Sequence, residues 1–353
     1  MPRLPHVACA ALALALLAAG QTPASPAVRE AQNPNAACLA CIEANEGFLA
    51  SDALRGRGSG TRDELLAAYY IAVELHAYGI APAGNQGSYI EIAPGLSAWQ
   101  ARHRNKHLGY ARRGPQPSPK LTLTASVVGV LHGSDPSARV LLLTAHLDHL
   151  GIIPRRAYHG DDIFNGANDD ASGCTAVLEM ARMLALGPRP RRTVYFAFFG
   201  SEEDGGFGAG HFVKHPPVPL QDIFANLEFE MIGWPDAKIP PGTLWLTGWN
   251  RSNLGPHLAA AGARLVADPR PAQHFFCRSD NINLARAGVV AQTISSFGLQ
   301  PMYHRPDDDL AHLDLNLMST AITSMIRPIR DLLNSRFRPA WNPGGRPGWL
   351  GCS

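Results

Sequence analysis

The sequence predicts an α/β fold, a three-layer α/β/α domain around a mixed, mostly parallel central sheet. Two observations carry this. Segments with helical periodicity alternate with short apolar runs along the chain. One run, Thr193 to Phe199, reads as fully apolar, the mark of a strand buried on both faces at the centre of a sheet.

The elements follow in chain order. At the N-terminus Arg3 precedes an apolar run, Val7 to Ala19, and then Gly20-Gln21-Thr22-Pro23. A charged start, an apolar stretch and small residues predict a signal peptide over 1–20, cleaved near Ala18 to Ala24. Export to the periplasm or beyond is the expected consequence. The run is shorter than the roughly 20 residues that span a bilayer. No other stretch is apolar enough to span one, so stable membrane insertion after signal removal is not expected.

Residues 21–44, rich in Ala, Pro and Asn, predict a flexible linker. A catalytic domain is expected over 45–337 and a Pro/Gly-rich tail over 338–353. Asp63 to Tyr78 carries Leu65, Leu66, Tyr69, Val73 and Leu75 at helical spacing and stops at Gly79. Residues 94–120, rich in Arg, Pro and Gly, predict a loop. Leu121 to Leu131 and Ala138 to Ala145 predict strands around the turn Gly133-Ser134-Asp135-Pro136. A helix is expected over Ser172 to Leu186, strands near Asn226 to Ile232 and over Ala287 to Ser295, and a closing helix over Leu315 to Phe337.

Composition narrows the function. The chain has 353 residues, 46% apolar and 17% charged, which suits one large domain with a sizeable core. With 31 basic against 29 acidic residues and no long basic run, nucleic-acid binding is not expected. After Cys9 leaves with the signal, Cys38, Cys41, Cys174, Cys277 and Cys352 remain, an odd number. Cys38 and Cys41 form a lone Cys-x-x-Cys without two further zinc ligands nearby, which favours a disulfide over a structural zinc site. Cys174 reads as a buried thiol.

Five places put metal-type ligands at strand ends or in the loops that follow. In Leu141-Leu-Leu-Thr-Ala-His146-Leu-Asp148-His149, His146 and Asp148 are two apart and face one way on a strand. A metal-binding His wants an acceptor on its other nitrogen, which Asp148 can supply. In Asn165-Gly-Ala-Asn168-Asp169-Asp170-Ala-Ser-Gly173 a helix cap explains one acid, not a pair. In Gly200-Ser-Glu202-Glu203 adjacent carboxylates repel unless a cation or a proton lies between them. In Asn226-Leu-Glu228-Phe-Glu230 acids interrupt an apolar strand, which is costly unless they are paired or metal-bound. In Met302-Tyr303-His304-Arg305-Pro306-Asp307-Asp308 the His is by itself an ordinary loop residue. Each signal is moderate; the five in this order are strong.

With these motifs the chain resembles the bacterial leucyl aminopeptidase and aminopeptidase Y family of two-zinc exopeptidases, from roughly Leu49 to Asn334. Ser51-Asp-Ala-Leu-Arg-Gly-Arg-Gly58 with Gly60-Thr61, and Gly87-Ser-Tyr89, also fit. The resemblance implies a zinc-exopeptidase-like fold, two Zn2+ ions and peptide substrates. It implies that His146 and Glu230 bind one zinc, Glu203 and His304 the other, and Asp169 both, through a cis peptide to Asp170. Asp148 would orient His146, Glu202 would be the general base, Tyr303 would hydrogen-bond the developing oxyanion, and Arg278 of Arg278-Ser-Asp280 would contact substrate. Two departures touch specificity: Glu230 stands where Asp is usual, and Asn281 where His is usual. The stretch before Leu121 is too short for the extra domain some members insert there, which implies a single catalytic domain.

The implied chemistry is coherent. Zinc ions about 3.5–4 Å apart would hold a water and lower its pKa while one polarises the scissile carbonyl. Glu202 would pass the water's proton to the leaving amine. Nitrogen and oxygen donors also accept Co2+ or Mn2+. An aminopeptidase is the main reading. A carboxypeptidase or dipeptidase, a single-zinc glutaminyl cyclase and a metal-free receptor-like protein share the fold. Oligomeric state is open.

Overall fold

The computed structural model describes residues 25–94 and 123–348. The expected signal peptide, nearly all of the expected loop over 94–120, and Cys352 lie outside them. Nine strands among the described residues form one sheet: β1 (Ala81–Pro82), β2 (Ile90–Pro94), β3 (Leu123–Leu131), β4 (Val140–His146), β5 (Val194–Phe199), β6 (Ile223–Phe229), β7 (Leu244–Leu246), β8 (Leu265–Ala267) and β9 (Ala291–Ser295). The helices are α1 (Pro26–Ala31), α2 (Leu39–Leu49), α3 (Arg62–Ala77), α4 (Ser172–Leu186), α5 (Phe207–Lys214), α6 (Leu254–Ala260), α7 (Asn281–Ala287) and α8 (Leu315–Asn334).

The strand order is β1-β3-β5-β4-β6-β9-β7-β8, with β2 also on β3. The four central strands, β5, β4, β6 and β9, run parallel. The flanks turn antiparallel where β3 meets β5 and where β7 meets β9. The sheet is mixed as expected, with its parallel part at the centre.

Side chains alternate along β4. Leu141, Leu143 and Ala145 pack with α4 and α8, while Val140 and Leu142 pack on the opposite face with α5 and α7. Both faces are covered, which is why β4 and β5 read as unbroken apolar runs. Crossover helices place the C-terminal ends of β4, β5 and β6 side by side along one edge, where open α/β sheets bind their ligands.

Several expectations meet corrections. The segment predicted to be a flexible linker is helical from Pro26, and Ala37 and Cys38 are buried. The Cys38 N–H donates to Glu179 at 2.7 Å, and Cys38 is disulfide-bonded to Cys41. Composition saw Ala and Pro; it did not see that Arg182 collects the carbonyls of Ala31, Asn33 and Ala36. The Pro/Gly-rich tail also docks: the Asn342 N–H donates to the Arg251 carbonyl and Trp341 meets Phe276 edge-on. The strand expected near Asn226 to Ile232 starts and stops three residues earlier, because Met231 takes a positive φ of 52° and turns the chain. Residues 287–290 close a helix at Gly288 instead of starting β9. Cys174 is free and buried, as expected.

Arg57, only 1% exposed, fixes the edge that carries the chemistry. Its guanidinium donates to the carbonyls of Leu49, Leu147, Asn165 and Gly166 at 2.5–2.9 Å. One side chain thus ties the end of α2, the end of β4 and the loop before α4. Leaving a buried carbonyl unpaired costs about 1–3 kcal/mol. Arg57→Met is therefore expected to lose about 3 kcal/mol or more in urea unfolding; a loss below about 1 kcal/mol would show that the loops hold without it.

Candidate metal centre

Strand ends and loops deliver the expected residues to one place. His146 closes β4 and is 1% exposed. Its Nδ1 lies 3.2 Å from the Asp148 carbonyl. A carbonyl only accepts, so Nδ1 carries the proton in that contact and the Nε2 lone pair is left for a ligand. The Asp148 carboxylate is farther off, at 3.8 Å, and works on the backbone instead. It accepts the Glu202 N–H at 2.9 Å and the Ser59 hydroxyl. Of the two Asp148 groups near His146 Nδ1, the backbone oxygen is the closer and the carboxylate expected to aim the ring is the farther.

Asp169 sits between two imidazoles. Its Oδ1 is 3.1 Å from His146 Nε2 and its Oδ2 is 3.0 Å from His304 Nε2. The Asp169–Asp170 peptide is cis, as the resemblance implies. Asp308 accepts the N–H groups of Asn168 and Asp169 at 2.9 and 3.1 Å. Asp170 accepts those of His146, Gly173 and Met231 at 2.9–3.1 Å. One buried carboxylate therefore joins the ends of β4 and β6 to the start of α4.

Glu202 and Glu203 follow β5 in a turn closed by hydrogen bonds from Gly205 and Gly206. Glu203 Oε1 is 3.1 Å from His304 Nε2 and 2.9 Å from His149 Nδ1. Burial works against its charge, yet these imidazoles hold its carboxyl below the usual range. Burial pushes Glu202 the other way, well above it. Glu230 lies one residue past β6 and keeps the ladder by donating its N–H to Ile294. The donor atoms of His146, Asp169 and Glu230 lie within 4.8 Å of one another, and so do those of His149, Asp169 and Glu203. Burial raises Glu230 to about 7.

A divalent metal fits this donor set. His146 Nε2, both ring nitrogens of His149 and Glu203 Oε1 are buried without a hydrogen-bond partner. His146 Nε2, His149 Nδ1 and Glu203 Oε1 each lie within 3.1 Å of an opposing nitrogen or oxygen, but off the hydrogen-bond axis. Lone pairs converging in this way are a metal-ligand arrangement, and imidazole with carboxylate suits zinc.

Tyr303 stacks on His304 at 3.8 Å and is largely buried, which raises its hydroxyl pKa and keeps it a donor. Arg278 lies over Phe275 at 5.0 Å. Both line a pocket beside Glu230, with Trp245, Phe275 and Phe297 as its walls. Asn281 donates to the Phe276 and Ala291 carbonyls, so its amide has a structural role here. Sequence reasoning passed over three residues that matter here. His149 stands in the first motif and Asp308 in the last, each without a role, and Arg57 shows no signal beyond its Gly neighbours.

The model of Peptidase family M28 matches residues 126–327. Aminopeptidase YwaD of Bacillus subtilis is 26% identical over 209 residues, 57% of this chain and 42% of that protein. The aminopeptidase from Aneurinibacillus sp. strain AM-1 superposes with a TM-score of 0.61 at 15% identity, over 86% of this chain and 96% of that one. Porphyromonas gingivalis glutaminyl cyclase does so with 0.60 at 15%, over 84% and 99%. Matches to curated relatives such as YwaD span less than half of those proteins' length. Among the described residues no helix is long and apolar enough to cross a membrane.

Glu228 and Glu230 face the same side, one strand step or roughly 6–7 Å apart. Ligation needs about 2.0–2.2 Å. Both Glu228 oxygens are buried and unpartnered, yet Glu230 is the one grouped with His146 and Asp169. Elemental analysis is expected to find about one metal fewer per chain in Glu230→Ala and an unchanged content in Glu228→Ala. The reverse would mean that the ligand is two residues earlier.

Proposed function

This chain belongs to peptidase family M28, and from that membership we propose that it is a two-zinc aminopeptidase of the leucyl aminopeptidase and aminopeptidase Y type. One observation carries the reading: Asp169 presents one oxygen towards His146 and the other towards His304, the position of a carboxylate shared by two metals. His146 and Glu230 would hold the first ion, Glu203 and His304 the second. Ions bound there supply a Lewis acid for the scissile carbonyl and lower the pKa of a shared water.

The chain's own groups take the remaining roles. Glu202 touches neither imidazole, and its backbone is pinned by Asp148, so its carboxyl is placed to take a proton from water and return it to the leaving amine. Tyr303 offers a hydroxyl that burial keeps protonated, suited to the oxyanion. The pocket walled by Trp245, Phe275 and Phe297 would take the N-terminal side chain, with Arg278 at its side.

Glu202→Gln is expected to lower turnover by about 10²–10⁴-fold with metal content unchanged; loss of a metal would instead make Glu202 a ligand. Polarity is tested on one good peptide. Acetylating its N-terminus should stop cleavage and amidating its C-terminus should not. The opposite pattern makes the protein a carboxypeptidase, and release of ammonia from an N-terminal Gln without peptide cleavage makes it a cyclase.

A further inference from the structure

His149 is three residues past the first histidine and has no role in the reading above. It is fully buried. Its N–H donates to the Arg57 carbonyl, and residues 58 and 149 form a parallel bridge. The ring lies against Gly166, whose φ is +60°; a Cβ there would come 2.5 Å from His149 Cγ and 2.2 Å from the Asp169 carbonyl oxygen. Backbone and packing therefore hold this imidazole in one place.

That place faces the second carboxylate pair. Nδ1 is 2.9 Å from Glu203 Oε1 and 4.0 Å from Asp169 Oδ2. The ring stands edge-on to His304 at 5.6 Å. Neither ring nitrogen has a hydrogen-bond partner, so Glu203 is close to Nδ1 but off its axis. His146 Nε2 shows the same relation to Asp169 Oδ1, 3.1 Å away and unpartnered. In both pairs nitrogen and oxygen are close without forming a hydrogen bond, and each pair belongs to a set of three metal-type donors within 4.8 Å of one another. A buried imidazole with no partner is costly. A cation within that set of donors would satisfy Nδ1.

We propose that His149 is a ligand of the second metal, through Nδ1. This rests on the two-metal reading and deepens it. The second site would then have four protein ligands, His149, His304, Asp169 and Glu203, against His146, Asp169 and Glu230 at the first. An ion with four protein ligands is held more firmly than one with three, and the shared water then adds to a fuller shell at the second site than at the first. The second ion would bind more tightly and load first, and the first ion would be the exchangeable one.

The test uses the full-length protein loaded with Co2+. Metal content of two per chain is the premise. Proton NMR then counts hyperfine-shifted imidazole N–H signals that disappear in D2O, one for each coordinated ring. Three are expected in the wild-type protein and two in His149→Ala. Co2+ titration of His149→Ala and His149→Asn should show the tighter binding step weakened by about tenfold or more, since even indirect supports of a metal cost about 10–100-fold. Two signals in the wild-type protein would mean that His149 only packs against Glu203, and that result is independent of how any variant folds. Fewer than two Co2+ per wild-type chain would overturn the two-metal reading itself, and the ligand assignment with it.

Discussion

The structure turns on the burial of many carboxylates in one small volume. Asp148, Asp169, Asp170, Glu228 and Asp280 are buried at the edge of the sheet, with Glu202, Glu203 and Glu230 beside them. Each would be expensive to bury charged and alone. Five of them divide into two groups by what their oxygens face, while both Glu228 oxygens and one of Asp280 are left without a partner. Asp148 and Asp170, with Glu64 and Asp308 nearby, accept backbone N–H groups from Glu202, Met231, Ser201 and Asp169 among others. Asp169, Glu203 and Glu230 face imidazoles. The first group is satisfied by the fold. In the second, Glu203 Oε1 is buried without a hydrogen-bond partner, which a cation would supply, and it is the first group that sets the geometry.

The division explains why strand ends suffice to build the site. A loop that carries a ligand would move freely unless its backbone were tied. Glu64 accepts from Gly60, Thr124 and Ser201, which couples the segment before α3 to the turn holding Glu202 and Glu203. Asp170 couples His146 to the chain just past Glu230, and Arg57 draws in the carbonyls on either side. Each ligand therefore sits on backbone fixed by a neighbour's side chain. Small errors in any one tie would be passed to the metal position, where tolerances are a few tenths of an ångström.

Much of this was legible in the sequence, and the parts that were not have physical reasons. The residues expected to bind metal do come together: His146, Glu203 and Glu230 lie at or just past the C-terminal ends of parallel strands, and Asp169 and His304 reach them from longer loops. Helix α4 was legible to its bounds because its apolar positions and the Gly that follows agree. The role of Asp148 was half legible: spacing put it beside His146 but could not say that its carbonyl, not its carboxylate, would meet Nδ1. The order in residues 26–49 was hidden because it depends on Arg182 and Glu179, more than a hundred residues away. Helices α5, α6 and α7 are seven or eight residues long, too short for periodicity to stand out.

The departure at Glu230 is better understood as a property of the strand end than of one side chain. Its N–H still pairs with Ile294, so it continues the register of β6 although the strand stops at Phe229. Immediately after it Met231 turns with positive φ, and the Asp170 carboxylate holds its N–H. The backbone at Glu230 therefore cannot slide to absorb a longer side chain. The extra methylene, relative to Asp, has to be taken up by folding the carboxylate towards His146 or by moving the bound ion. Either occupies space on the side where the pocket of Trp245, Phe275 and Phe297 opens. Glu228 lies one step behind on the same face, buried with Asp280, whose carboxyl burial raises to about 8. Burial disfavours the charge on both acids, so they add less negative charge behind Glu230 than exposed carboxylates would. The length of one side chain and the burial of the acids behind it both bear on what can enter the pocket.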